Sequence, residues 1–81
     1  MASVSAAVVA AVREKFPEDQ VATVCALLAA YGERPHEREI ERVQLDILKL
    51  ARGRFDAIPE LVRKARRDYR DILMWAEYSG R

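Results

Sequence analysis

The chain has 81 residues, 51% of them apolar and 33% charged. That length builds one small domain around a single core, and the mixture is too polar for a membrane bundle and too apolar for a disordered tail. Fourteen basic residues against 13 acidic ones leave a net charge of +1, which removes the simplest electrostatic case for a nucleic-acid or membrane-surface protein.

The helix breakers divide the chain. All three prolines and all three glycines, at Pro17, Gly32, Pro35, Gly53, Pro59 and Gly80, fall between segments rich in Ala, Leu, Glu and Arg, the good helix formers. No segment alternates with a period of two, so the expected fold is all-α. It is a single domain over residues 1–81, a bundle of four helices at about Ser3–Phe16, Glu18–Tyr31, His36–Arg52 and Ala57–Tyr78.

The first helix sets Val4, Val8, Val9 and Val12 on one side and Ala6, Ala7 and Ala10 on the other. Phe16-Pro17 ends it, because the residue before proline avoids the α region. In the second helix no residue from Val21 to Tyr31 is charged. Val21, Val24, Cys25, Leu27, Leu28 and Tyr31 share one face, and Ala22, Ala26, Ala29 and Ala30 form another. A helix that is apolar all round is normally buried all round, and a monomer of this size has little chain with which to cover two of them. The expectation is a homodimer packed through the Ala22, Ala26, Ala29 and Ala30 face.

Gly32 and Gly53 read as C-caps of the second and third helices. Ile40, Val43, Ile47, Leu48 and Leu50 form the third helix's stripe, and Gln44 falls inside that arc, where burial demands a partner. Asp56 reads as the N-cap of the last helix. Its core stripe is Ile58, Leu61, Val62, Ala65, Tyr69, Ile72, Leu73 and Ala76, with Trp75 at the stripe's boundary, where the ring either folds over the core edge, the first expectation, or lies exposed for a partner.

Little in the chain suits catalysis. Cys25, the single cysteine, lies among Val24, Ala26 and Leu28 with no neighbouring cation or base to activate it. His36, the single histidine, has Glu39 at i+3 but no second His or Cys near it, which is too few ligands for a metal site. No glycine-rich loop offers a phosphate cradle. No catalytic, cofactor-binding or metal residue is therefore assigned, and the chain is expected to be non-enzymatic. Glu33, Glu37, Glu39 and Glu41 alternate with Arg34, Arg38 and Arg42. This alternation reads as a solvated face with ion pairs such as Glu39–Arg42 and Arg42–Asp46.

The most suggestive constellation is basic. Arg63, Arg66, Arg67 and Arg70 follow an i, i+3, i+4, i+7 spacing along one face of the last helix; Met74 continues the row and Lys64 flanks it. These five residues, Arg63 to Met74, are the candidate interaction face. The row reads first as a solvated or internally paired face, and as a functional surface it would contact RNA or DNA phosphates or a protein partner. Glu60, Asp68, Asp71 and Glu77 border the row, however, and stacking aromatics are missing from it. A helix-turn-helix reading of the middle helices fails on charge, because the recognition helix would open with Glu37, Glu39 and Glu41. A protein partner is the first expectation and a small nucleic-acid-binding module the second. The apolar run Val4–Val12 has no preceding Lys or Arg and falls far short of the roughly 20 residues that span a bilayer. A cytoplasmic protein with a reduced Cys25 is expected.

The run Ala65-Arg66-Arg67-Asp68-Tyr69-Arg70-Asp71-Ile72-Leu73-Met74-Trp75-Ala76-Glu77-Tyr78, with Glu41-Arg42-Val43, Ile47-Leu48-Lys49-Leu50 and Gly53 upstream, resembles a group of short bacterial proteins of unknown function. Those proteins end in a similar helix, and the resemblance covers residues 31–78. It implies a small all-helical cytoplasmic protein and brings no activity, cofactor or catalytic residue with it.

Overall fold

Residues 4–79 are described by a computed structural model of the chain. Among them five helices follow one another, α1 (Ala6–Lys15), α2 (Glu18–Ala29), α3 (Ile40–Ala51), α4 (Ala57–Arg67) and α5 (Tyr69–Ser79), and no strand forms. The expected start at Ser3 and the breaker Gly80 lie outside the described residues.

Local chemistry sets the first junction. The Ser5 hydroxyl oxygen accepts the Val8 N–H at 3.3 Å and caps α1. Phe16 is extended ahead of Pro17, which serves as N-cap of α2, and Glu18 and Asp19 lie at that helix's positive end.

Two expected boundaries move. The second helix ends at Ala29 rather than Tyr31, and the third begins at Ile40 rather than His36. The cause is the 33–39 loop, where Glu37 Oε1 accepts the N–H groups of Gly32 at 2.6 Å and Arg34 at 3.1 Å. These bonds give the backbone an alternative to a further helical turn. The Tyr31 hydroxyl donates to the Arg38 carbonyl at 2.8 Å and pins the far end of the loop. Glu39 then enters α3 with φ 49°, a left-handed conformation uncommon outside glycine.

The expected fourth helix is two. Asp68, extended with φ −157° and ψ 101°, separates α4 from α5. Its Oδ1 accepts the Arg70 N–H at 3.1 Å, so Asp68 ends one helix and caps the next. The bundle of four helices is thereby corrected to five. At the start of α4 the expected cap Asp56 makes no capping bond, its carboxylate pairing loosely with Arg54 at 3.8 Å; the Arg54 and Phe55 carbonyls accept the N–H groups of Ala57 and Ile58 instead, both at 3.2 Å.

Helix α3 is the hub and packs against α1, α4 and α5, while α2 packs on α1 and α4. The core holds Val8, Val12, Phe16, Val21, Val24, Leu28, Tyr31, Val43, Ile47, Leu48, Ile58, Val62, Ala65 and Ile72. Leu61, Tyr69 and Leu73 are only partly buried against it, and the break at Asp68 puts the two halves of the predicted stripe on separate helices. Gln44 is 2% exposed within this core and donates to the carbonyls of Leu28 and Tyr31 at 3.0 and 2.8 Å. The polar residue that the helical wheel placed inside the stripe thus has its partners.

Candidate functional site

The break at Asp68 redistributes the basic row. Arg63, Arg66 and Arg67 lie on α4, and Arg70 and Met74 lie beyond the break on α5. Arg70 is committed locally, its Nε and Nη2 donating to Asp68 Oδ1 and Oδ2 at 3.0 and 3.1 Å. This fork pulls the Asp68 carboxyl below its ordinary pKa of 3.8 and raises that of the Arg70 guanidinium. Met74 is exposed at 45%. A continuous ridge of four arginines is therefore corrected to a cluster of three on α4 and a self-paired fourth on α5.

Those three arginines find a fourth from elsewhere in the chain. A cleft of about 390 Å³ runs between α2 and α4, floored by Leu27, Ala30, Pro59 and Val62 and rimmed by Arg34, Arg63, Arg66 and Arg67. No acidic residue and no aromatic ring lines it. Arg63 makes a long, exposed ion pair with Glu60 at 3.7 Å, and such pairs are weak. Among the described residues Arg34, Arg66 and Arg67 take part in no ion pair. Sequence reasoning missed Arg34 because it belongs to the loop and reaches α4 only through the tertiary fold.

A second cleft, of about 300 Å³, lies where the 33–39 loop faces the α4–α5 junction, and Arg66 and Arg67 belong to both clefts. It is lined further by Tyr31, His36, Glu37, Ala65, Asp68, Tyr69 and Arg70. Glu37 is 8% exposed, which corrects its assignment to a solvated face. Its Oε2 is buried without a hydrogen-bond partner. Of the expected ion pairs, Glu39–Arg42 forms at 3.2 Å; Arg42–Asp46 is not among the ion pairs of the described residues.

The alanine face of α2 is divided by the fold. Ala29 is buried at 9% exposure and Ala30 is half-buried against the core, which leaves Ala22 and Ala26 exposed. Trp75 is 37% exposed, and the Lys64 ammonium stands 5.4 Å from the centre of its ring, a cation–π arrangement. Cys25 is half-buried, and desolvation pushes its thiol up despite the opposing Arg13 charge. Among the described residues no three His, Cys, Asp or Glu side chains come together as metal ligands, and no helix is long and apolar enough to cross a membrane. No protein-family model matches the chain, and no curated protein or solved structure matches it either.

Proposed function

We propose that the protein is a non-enzymatic docking module whose α2–α4 cleft binds an acidic, amphipathic segment of another protein. One observation carries the reading: four arginines rim an apolar floor with no acidic residue among them, in a chain whose net charge is only +1. Leucine-type side chains would occupy the floor formed by Leu27, Ala30 and Val62, while carboxylates would meet guanidinium forks that favour bidentate pairing. Nucleic acid fits less well, since the cleft offers bases no ring to stack on. The resemblance of residues 31–78 to short bacterial helical proteins belongs to the same proposal, as does a cytoplasmic location, which the single cysteine supports.

The test is fluorescence anisotropy with a labelled helical peptide bearing leucine at i, i+3, i+4 and i+7 and glutamate between. Saturable binding that weakens roughly tenfold or more in the Arg63→Glu, Arg67→Glu double variant is expected. No binding of this peptide, with retention of single-stranded RNA that falls steeply with salt, would replace the reading by the nucleic-acid one. Self-association through the α2 alanines is a separate proposal, with Ala22 and Ala26 as its exposed residues. Sedimentation equilibrium decides it, and a single 9.2 kDa species at high micromolar concentration overturns it.

A further inference from the structure

We propose that the second cleft, between the 33–39 loop and the α4–α5 junction, is a binding site for a small zwitterion of the free α-amino acid class. Glu37 supplies the anion of this cleft. Its carboxylate is held in place because Oε1 accepts the Gly32 and Arg34 N–H groups. Oε2 is closed to solvent and accepts nothing. A buried carboxylate oxygen without a donor is an unfavourable arrangement, and a ligand ammonium that displaces the side chains covering Oε2 would relieve it.

The other polar groups of the cleft define what the ammonium must be attached to. Arg70 and Asp68 neutralise each other through two hydrogen bonds. The free charges are then the cations of Arg66 and Arg67 and the anion of Glu37, with His36 exposed at the edge. Two guanidinium groups favour a carboxylate, and Glu37 favours a cation on the same molecule. A polyanion such as nucleic acid would meet the Glu37 charge, and a simple amine would meet the arginines. The partly exposed ring of Tyr69 supplies apolar surface between the charged groups, over a floor closed by the buried Ala65 and Tyr31. About 300 Å³ is at the small end of ligand sites, a size for a single small molecule.

The experiment uses the full chain, labelled with ¹⁵N, and follows the Gly32 and Arg34 amide resonances as free proteinogenic amino acids are added one at a time. At least one should shift both resonances saturably, and its N-acetyl and its carboxamide derivatives should each bind at least tenfold more weakly. Glu37→Gln keeps the acceptor at Oε1 and so the loop, and it should weaken the free amino acid at least tenfold. Arg67→Ala, an exposed position with no structural bond to lose, should weaken it similarly. The proposal fails if no amino acid shifts these resonances, or if the blocked derivatives bind as well as the free ones. It fails equally if the Arg66 guanidinium swings onto Glu37 Oε2 in solution, seen as an Arg66 side-chain resonance that Glu37→Gln moves and no amino acid does. Acidic-peptide binding at the α2–α4 cleft should survive Glu37→Gln, so this proposal and the docking proposal stand or fall separately.

Discussion

The Gln44 carboxamide donates to the Tyr31 carbonyl at 2.8 Å and to the Leu28 carbonyl at 3.0 Å, so a side chain of α3 closes the open C-terminal end of α2. Helix ends leave carbonyls without intrahelical partners, and buried ones need them from elsewhere. Gln44→Leu preserves apolar bulk but strips both carbonyls of this donor. It should destabilise the fold by about 1–3 kcal/mol, read as a lower urea midpoint. Gln44→Glu should be worse at neutral pH, because it sets a carboxylate against two carbonyl oxygens. An unchanged midpoint for both variants would mean that the α2 end is satisfied without Gln44.

Asp68 is the residue that makes five helices out of four. Its carboxylate caps α5 and forks with Arg70, and these bonds hold its pKa below 3.8. A carboxylate with a depressed folded-state pKa contributes stability that is present above its unfolded pKa and lost as the pH falls through the folded one. Asp68→Asn keeps a capping oxygen but carries no charge. Relative to wild type it should be less stable at neutral pH, and the difference should vanish at a pH well below 3.8. Asp68→Ala should be destabilised further, having lost the cap as well. A wild-type to Asn difference that does not change with pH would remove the ion pair from the account.

The contrast between Phe16-Pro17 and Asp68 shows what the sequence alone could reveal. Proline acts on its neighbours through local sterics, so the α1–α2 junction was readable without any knowledge of the fold. No glycine or proline marks the α4–α5 junction, and the apolar spacing from Ile58 to Ala76 continues through it at the helical period. The available signal was Asp68 with Asp71 three residues on, an acidic pattern suited to a helix start. The clustering of Arg63, Arg66 and Arg67 was legible, because it needs only helical spacing within α4. The membership of Arg34 in that cleft, and the burial of Glu37, depend on a loop folding back over α4 and have no local signature. Leu61 is only partly buried, at the edge of the α4 face that buries Ile58, Val62 and Ala65; Ile58→Ala, at a fully buried position, should cost about 2–5 kcal/mol and Leu61→Ala less.

Gly32 is required twice over. Its φ is +125°, a conformation that side chains with a Cβ rarely adopt, and an added Cβ would lie 2.9 Å from Ile40 Cγ2. Its N–H is also the shorter of the two bonds to Glu37 Oε1. Gly32→Ala should therefore cost roughly 1–3 kcal/mol in backbone strain and loosen the loop. Faster hydrogen exchange at the Gly32-position and Arg34 amides would report the loosening. Ala at this position with full stability and unchanged exchange would show that the loop tolerates another backbone path.

Asp46 gives the opposite pH signature to Asp68. It sits half-buried on α3, and desolvation raises its pKa above 3.8 while Arg42 and Lys49 pull the other way. The folded state then holds the proton more tightly than the unfolded chain, so the charged form opposes folding. That penalty is absent below the unfolded pKa, grows as the pH rises through the folded one, and is complete at neutral pH. Asp46→Asn removes the charge at nearly constant volume. At pH 7 it should raise the urea midpoint modestly, a gain of less than about 1 kcal/mol for a group that solvent still partly screens. The advantage should shrink as the pH is lowered and disappear below 3.8. A variant less stable than wild type at pH 7 would show that attraction to Arg42 and Lys49 outweighs the loss of hydration.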